Sequence, residues 1–155
     1  MLIAVITVSD RAAAGVYADR SGPAVEEVLR ELVPGVEIER EIVPDGKDSV
    51  LAALERHAGA DWILTTGGTG PSPRDETPEA TLAWCDREMP GIADWLRAKS
   101  LEETPNAVFS RGAAGMRGAR YVVNFPGSEK AARFCAAALA PLLEHGVKMA
   151  RGEGH

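Results

Sequence analysis

The sequence predicts an α/β fold with a mostly parallel central sheet covered by helices. Residues 2–8 form an unbroken apolar run rich in β-branched side chains, which is typical of a strand buried on both faces. Such runs alternate with segments of helical spacing, as in parallel sheets joined by crossover helices. A length of 155 residues suits one domain with one core. We expect a single domain over residues 1–150 and a polar tail over residues 151–155.

The first half of the chain predicts the order β-α-β-α-β. After the first strand, a helix runs from Ser21 to the Pro-Gly pair at residues 34–35. Apolar residues alternate with glutamates over residues 36–42, which predicts a strand buried on one face. Residues 50–58 return to helical spacing, and residues 62–64 predict the third strand.

Two helices and a strand are predicted next. Thr77 followed by Pro78 has the form of an N-cap and a first helical residue. Another helix follows the Pro-Gly pair at residues 90–91, with Leu101 on its apolar face. Residues 121–125 predict a further buried strand.

The last predicted element is a long helix with one apolar face. Ser128 is expected to cap it, and Leu142 belongs to its apolar face. Pro141 is expected to bend the helix, because a proline inside a helix removes one backbone hydrogen bond. The His-Gly pair at residues 145–146 is expected to end it.

Composition excludes several classes of protein. A net charge of −6 and a pI of about 5.1 exclude binding of nucleic acid or an anionic membrane through an overall positive field. The longest apolar stretch, residues 2–8, is far shorter than the about 20 residues of a membrane span, and we expect a cytoplasmic protein. Cys85 and Cys135 lack the spacing of zinc or redox pairs and are expected to be packing residues.

A glycine-rich loop at residues 65–71 follows the third strand. Ligands of open α/β sheets bind at the carboxyl ends of the strands, where this loop lies. Its glycines permit positive φ angles that turn backbone N–H groups towards an anion, and its threonine hydroxyls add donors. It is neither a Walker loop nor a dinucleotide fingerprint. The loop therefore predicts a phosphate site, the alternative being a tight turn without ligand; the candidate contacts are Thr66, Gly67, Gly68, Thr69 and Gly70.

Asp45 and Asp75 are the candidate catalytic carboxylates. Asp45 ends the second strand and Asp75 follows the third, so a parallel sheet places both at one edge, where they could share a metal or flank one phosphate. Mg²⁺ prefers one or two carboxylates together with phosphate oxygens, which makes both residues candidate Mg²⁺ ligands, with Arg74 as a nearby cation. The alternative for each aspartate is an ordinary turn residue.

Other polar loops leave the same edge of the predicted sheet. Ser9 and Asp10 follow the first strand, and two later loops lead away from apolar segments. The two later loops suit a pterin or a phosphate, and the second runs into a helix N-terminus, which binds anions. Ser9 and Asp10 could equally be a cap or a solvated charge. The candidate binding residues here are Ser9, Asp10, Ser110, Arg111, Asn124, Pro126, Gly127 and Ser128. His57, His145 and His155 lie outside all these loops, and we expect no imidazole in the mechanism.

Taken together, these motifs resemble the bacterial MogA/MoaB family over nearly the whole chain. The matching segments are residues 7–11, 15–17, 65–71, 74–78, 87–91, 110–111 and 124–127. The resemblance implies a molybdopterin adenylyltransferase with a three-layer α/β fold, usually a homotrimer. The family uses Mg²⁺ and ATP to attach AMP to the terminal phosphate of molybdopterin. It further implies functional roles for Asp45 and Asp75, and as a partner the molybdate-insertion protein of the same pathway.

Two other functions compete with this one. Family members often carry Pro-Lys-Ala after the last Pro-Gly pair, whereas this chain has Glu129 within that segment, which places a carboxylate near the expected anion. A non-catalytic molybdopterin carrier or scaffold is therefore the alternative. An unrelated nucleotide-binding regulator is the third hypothesis, and it depends on the glycine-rich loop alone.

Overall fold

A computed structural model describes residues 1–153, and its centre is a six-stranded sheet. The strands are β1 Leu2–Val8, β2 Glu37–Val43, β3 Trp62–Thr66, β4 Arg87–Glu88, β5 Ala114–Arg117 and β6 Arg120–Phe125. Their order across the sheet is β2-β1-β3-β6-β5-β4. The first four strands in this order are parallel, whereas β5 and β4 pair antiparallel with their neighbours. The prediction of a mostly parallel sheet is confirmed.

Helices cover both faces of this sheet. They are α1 Asp10–Ala13, α2 Ser21–Leu32, α3 Lys47–Arg56, α4 Thr77–Trp84, α5 Pro90–Glu103, the 3₁₀ helix Pro105–Phe109 and α6 Glu129–Ala150. Helices α2, α5 and α6 pack against one face, and α3 and α4 pack against the other. The three-layer sandwich is confirmed. None of the helices within residues 1–153 has the length and apolarity needed to cross a membrane.

Strand β1 shows why the chain forms this sandwich. Ile3 and Val5 belong to the core on one face, and Ala4 and Ile6 belong to the core on the other. All four are completely buried, because β1 has a neighbouring strand on each side and helices above and below. Burial of one large aliphatic side chain contributes about 1.5–3 kcal/mol. The central strands are therefore a main source of the stability of the fold.

The predicted burial pattern around β2 was correct for Val36, which is buried, and for Ile38, which packs against the core, but it was wrong for Ile42. Ile42 is 41% exposed, although it was expected on the buried face. The glutamate face also meets a helix end, because His57, next to α3, contacts Glu39 and Glu41 at 3.2 and 2.9 Å. Strand β2 lies at the edge of the sheet, so neither of its faces is completely covered.

The predicted end of α6 was also wrong. The helix continues past Gly146 to Ala150. Gly146 packs against the indole of Trp62, where a Cβ atom would come within 2.6 Å of the ring. The Trp62 Nε1 atom donates to the Leu143 carbonyl at 3.2 Å, and the Tyr121 hydroxyl donates to that of Gly146 at 3.1 Å. Gly146 therefore permits a close approach rather than ending the helix.

Smaller deviations concern single positions. Helix α4 begins at Thr77 itself, which is completely buried, so Thr77 is not the N-cap. Leu101 and Leu142 were assigned to apolar faces, yet they are 44% and 45% exposed. The predicted cap was correct at Ser128, whose hydroxyl accepts a hydrogen bond from the Ala131 N–H.

The predicted polar tail is tied to the domain at its first residue. Arg151 donates to Asp61 at 3.0 Å, and Arg120 donates to the same carboxylate at 2.7 Å. Residues 154–155 of that tail, including His155, lie outside the described residues.

Cys85 and Cys135 are free thiols in apolar surroundings, and burial raises the pKa of each to about 11. Their predicted role as packing residues is confirmed.

Candidate active site

The glycine-rich loop leaves β3 at the carboxyl edge of the sheet. Gly67 has a φ of +96° and Gly68 a φ of +65°, a region that L side chains rarely adopt. The Gly67 N–H donates to the Phe125 carbonyl at 3.1 Å, and a Cβ atom at Gly67 would collide with the Val8 carbonyl. The Thr77 N–H donates to the Gly68 carbonyl at 3.1 Å. The loop backbone is thus held by β1, β6 and α4 together.

The Asp75 carboxylate lies beside Gly70 in this loop. Its Oδ2 atom accepts a hydrogen bond from the Ser72 N–H at 3.3 Å, and the Asp75 N–H donates to the Ser72 carbonyl at 2.9 Å. Asp75 also lines a cleft of about 410 Å³, a size typical of small-molecule sites. The two interpretations of Asp75, turn residue and site residue, are therefore compatible.

Two walls enclose most of this cleft. We call residues 67–75 the glycine-loop wall and residues 104–110 the helical wall. The N-terminus of α6 lies next to both. Predicted residues that line the cleft are Gly68, Thr69, Gly70, Asp75, Ser110, Pro126, Gly127 and Ser128. The structure thus brings half of the candidate residues to one cavity.

The helical wall supplies cleft residues that sequence reasoning missed. Thr104, Asn106 and Phe109 line the cleft, and Phe109 is 63% exposed. Thr104 caps the 3₁₀ helix by accepting a hydrogen bond from the Asn106 N–H at 3.3 Å. Threonine followed by proline at residues 104–105 has the form of an N-cap and a first helical residue, a signal that was wrong at Thr77 and is correct here. It could have located this wall.

Asp45 does not line the cleft, although it lies at the glycine loop. Its Oδ1 atom is 3.4 Å from the position of a Cβ atom on Gly68. Its Oδ2 atom accepts a hydrogen bond from the Asp10 N–H at 2.8 Å, and Asp10 accepts one from the Asp45 N–H at 3.0 Å. Both aspartates therefore lie at the glycine-rich loop, and of the two only Asp75 lines the cavity, so their action at one site stays a prediction.

Arg74 forms hydrogen bonds with both the loop of Asp10 and the loop of Asp45. Its guanidinium donates to the Asp10 carboxylate at 2.8 and 3.2 Å and to the Asp45 carbonyl at 3.3 Å. The hydrogen bonds and the negative charge of Asp10 raise the pKa of Arg74 above its ordinary value. Ser9 precedes them and caps α1 by accepting from the Ala12 N–H at 3.2 Å. The observed contacts of Ser9, Asp10 and Arg74 are structural, and their contact with a ligand stays a prediction.

Thr66 and Asn124 have buried side chains with protein partners. The Thr66 hydroxyl is 2.7 Å from that of Ser21. The Asn124 amide donates to Thr65 and Thr81 at 2.9 and 2.8 Å, and its carbonyl oxygen accepts from the Ala113 N–H at 3.0 Å. These bonds tie β6 to β3, α4 and the start of β5. Ligand contact by these two side chains stays a prediction, while their structural role is visible.

Arg111 is on the surface beside the cleft and contacts the glycine-loop wall. Its side chain donates to the Gly70 carbonyl at 2.9 Å, to the Asp75 carbonyl and to the Glu79 carboxylate. The Glu79 contact raises the pKa of Arg111, and the Arg111 hydrogen bond holds the pKa of Glu79 below its usual range. Glu79 was not among the predicted residues.

Glu129 does not line the cleft. It borders a separate surface depression together with Asp19, Arg20 and Arg133. Ser128, the residue before it, does line the cleft, and its hydroxyl caps α6. The Glu129 carboxylate therefore borders a neighbouring part of the surface, and its effect on an anion in the cleft stays a prediction.

The comparisons with known proteins agree with this geometry. The sequence model described as a probable molybdopterin binding domain matches residues 4–145. The molybdopterin adenylyltransferase of Helicobacter pylori strain J99 is 41% identical over 154 residues, covering 97% of this chain and 88% of that protein. The molybdopterin adenylyltransferase of Escherichia coli K12 is 42% identical over 132 residues, covering 83% of this chain and 68% of that protein.

A solved structure extends the agreement to three dimensions. The crystal structure of the molybdopterin biosynthesis enzyme MoaB from Thermus thermophilus matches with a TM-score of 0.86 and 40% identity. The match covers 98% of this chain and 97% of that one. The resemblance to the MogA/MoaB family is confirmed, and the chain belongs to the family of the probable molybdopterin binding domain.

Proposed function

We propose that this chain is a molybdopterin adenylyltransferase, which transfers AMP from Mg·ATP to the terminal phosphate of molybdopterin. The observation that carries the proposal is the Asp75 carboxylate, which lines a cleft of about 410 Å³ beside the backbone of Gly68 and Gly70. Relatives that are 41% and 42% identical bear this name, and the alignments cover most of the chain.

In the proposed reaction, an oxygen of the molybdopterin phosphate attacks the α-phosphorus of ATP. A new P–O bond forms, the bond between the α- and β-phosphates breaks, and pyrophosphate leaves. The attacking phosphate is already an anion near neutral pH, so the chain needs to position and neutralise charge more than to remove a proton. This agrees with a cleft whose lining includes carboxylate, hydroxyl and backbone groups and no histidine among the described residues.

The chain's own residues suit a metal that arrives with the nucleotide. Within residues 1–153, no group of three or more histidine, cysteine, aspartate or glutamate side chains could hold a metal without other ligands. Asp75 offers one carboxylate inside the cleft, and Mg²⁺ commonly uses one or two carboxylates plus phosphate oxygens. We propose Asp75 as the Mg²⁺ ligand, with Mg²⁺ neutralising phosphate charge, and Asp45 as support for the loop.

Other cleft residues then divide by their chemistry. We propose that the backbone N–H groups of Gly68, Thr69 and Gly70 bind phosphate, because a turn with positive φ directs such groups together. The hydroxyls of Ser110 and Ser128 line the same cleft and are proposed to contact the pterin or its phosphate. The α6 N-terminus beside Ser128 adds a favourable dipole for an anion.

A direct assay tests the proposed function. The folded protein is incubated with molybdopterin, ATP and Mg²⁺, and adenylylated pterin and pyrophosphate are measured. We expect both products, and about a 100-fold or larger loss of kcat in Asp75→Asn, because one electrostatic group in a catalytic site typically contributes that much. Asp48→Asn, an exposed position in the first turn of α3, serves as the control and should keep the activity of the unmodified chain.

Binding of molybdopterin without either product would contradict the enzyme and favour the alternative of a non-catalytic carrier. In that case Asp75→Asn should leave pterin binding unchanged. Binding of ATP without any affinity for the pterin would instead favour an unrelated nucleotide-binding regulator.

We also propose that the protein is a cytoplasmic homotrimer that passes its product to the molybdate-insertion protein of the same pathway. Several large apolar side chains are exposed on the single chain, among them Val16, Leu32 and Met149, and contacts between copies of the chain would bury such side chains. Light scattering coupled to size-exclusion chromatography should give three times the mass of 16.4 kDa. A monomer would contradict this proposal.

A further inference from the structure

Each of the three guanidinium nitrogen atoms of Arg111 donates a hydrogen bond to the protein. Nε donates to the Gly70 carbonyl at 2.9 Å, Nη2 donates to the Asp75 carbonyl, and Nη1 contacts the Glu79 carboxylate. The Arg111 backbone N–H also donates to the Thr69 carbonyl at 2.8 Å. One residue therefore bonds to the glycine-loop wall at three of its carbonyls, and one of these belongs to the residue that carries the cleft carboxylate.

Arg97 holds the segment from which Arg111 projects. Its Nη1 atom donates to the Ser110 carbonyl at 2.9 Å and to the Gly112 carbonyl at 3.2 Å. Its Nη2 atom contacts Asp94 on the same helix at 3.2 Å, and only 27% of its side chain is exposed. The carbonyls on both sides of Arg111 are thus fixed to α5.

We propose that Arg97 and Arg111 are positioning residues that together set the place of the Asp75 carboxylate in the cleft. Contacts run from α5 through Arg97 to residues 110–112, and from there through Arg111 to Gly70 and Asp75. This gives Arg111 a role other than contact with the substrate. The kinetic part of the inference depends on the proposed function, whereas the structural part does not.

The chemistry of arginine separates this role from direct phosphate binding. A guanidinium presents its N–H groups in a rigid fork, and here three nitrogen atoms serve three separate acceptors. A lysine keeps the positive charge, and it is a common phosphate ligand, but it has one nitrogen on a flexible chain. Arg111→Lys therefore keeps a charge beside the cleft while it loses the three-point contact.

The kinetic test compares Arg111→Lys, Arg111→Met and Arg97→Met in the adenylylation assay. Because misplacing a catalytic group by about 1 Å can cost about 100-fold, we expect kcat to fall by about 30- to 100-fold in both Arg111 variants and in Arg97→Met, with KM changed by less than about threefold. If Arg111 instead contacted the substrate, the effects on kcat and KM would differ: KM would rise in Arg111→Met, and Arg111→Lys would keep most of the activity. That second pattern would overturn the proposal.

Arg133→Met is the matched control. The Arg133 side chain is 41% exposed and pairs with Glu27, as Arg111 is 40% exposed and pairs with Glu79. It borders the separate depression near Glu129 and does not line the cleft. We expect this variant to keep the kcat and KM of the unmodified chain, and a comparable loss of kcat in it would contradict a specific role for Arg111.

Amide hydrogen exchange on the ligand-free protein tests the same idea without the reaction. Exchange over residues 68–76 should become about tenfold faster in Arg111→Met, Arg111→Lys and Arg97→Met, because the loop loses hydrogen bonds that resist local opening. Exchange in β1 and β3 should be unchanged, which shows that the domain remains folded, and Arg133→Met should exchange like the unmodified chain. Unchanged loop exchange in Arg111→Met would overturn the proposal, even for a protein that lacks adenylyltransferase activity.

Discussion

The two walls of the cleft are built differently. The glycine-loop wall is held by contacts from distant parts of the chain, including Phe125, Thr77 and Arg111. The helical wall is held partly by its own short turn, and it presents Val108 and Phe109 to solvent with 61% and 63% exposure. A wall fixed from several sides suits the proposed phosphate site, because reacting groups tolerate little displacement. A wall with exposed apolar side chains suits a flat ring, for which the packing can adjust.

Gly67→Ala should distort the glycine-loop wall and cause the largest loss of stability among these variants. A Cβ atom there would collide with the Val8 carbonyl, and φ is +96°. We expect a loss of about 3 kcal/mol or more in the free energy of unfolding, measured with urea, and loss of activity. Gly35→Ala is the control, because its φ is +71° but no atom lies within 4 Å of the added Cβ. It should cost about 1–2 kcal/mol, the cost of a left-handed conformation alone. Equal losses would contradict the close approach.

Asn124→Ala tests the buried bonds behind the same wall. The change leaves the Thr65 and Thr81 hydroxyls and the Ala113 N–H without their present partner. An unsatisfied buried polar group costs about 1–3 kcal/mol, so we expect a loss of roughly 2–3 kcal/mol in urea unfolding. Asn106→Ala, an exposed change on the helical wall, should remain within about 0.5 kcal/mol. A fully stable Asn124→Ala with impaired pterin binding would instead assign Asn124 to the ligand.

Phe109→Ala should separate binding from stability on the helical wall. The ring is 63% exposed, so unfolding free energy should change by less than about 0.5 kcal/mol. Stacking of a heteroaromatic ring on an aromatic side chain contributes about 1–3 kcal/mol, and we expect KM for one of the two substrates to rise about tenfold. Val108→Ala, the exposed neighbour that does not line the cleft, should leave KM unchanged. An unchanged KM in Phe109→Ala would remove Phe109 from the binding site.

The smallest expected effect concerns pH and the Arg111–Glu79 contact. The hydrogen bond from Arg111 lowers the pKa of Glu79 below its ordinary value of 4.5. A lowered carboxyl pKa contributes stability above the unfolded value, and the contribution is lost as pH falls through the folded value. At pH 7 the free energy of unfolding of the unmodified chain should exceed that of Glu79→Gln by less than about 1 kcal/mol, because 46% of the Glu79 side chain is exposed. In urea unfolding, the free energies of the two proteins should converge well below pH 4.5. A difference that stays constant with pH would contradict the link between the Glu79 pKa and stability.

Sequence reasoning succeeded where the signal is local. The apolar run at residues 2–8 predicted β1, and the glycine-rich run after β3 predicted the loop that now borders the cleft. It failed for the short strands β4 and β5, because segments of two and four residues with arginine and glycine carry no periodic pattern. It also failed at Gly146, where a glycine signal for a helix end in fact marks contact with Trp62.

Apolar periodicity and turn residues act over a few neighbouring positions, so they were enough to predict the layers of the fold and the set of loops that share one edge of the sheet. The contacts that the side chains in those loops make depend on tertiary packing. Asn124 meets Thr65 across 59 positions of the chain, and Arg111 meets Gly70 across 41. Such bonds depend on the packing of whole elements. For this reason Arg111, which was predicted to contact the pterin or its phosphate, instead forms hydrogen bonds with the glycine-loop wall of the cleft.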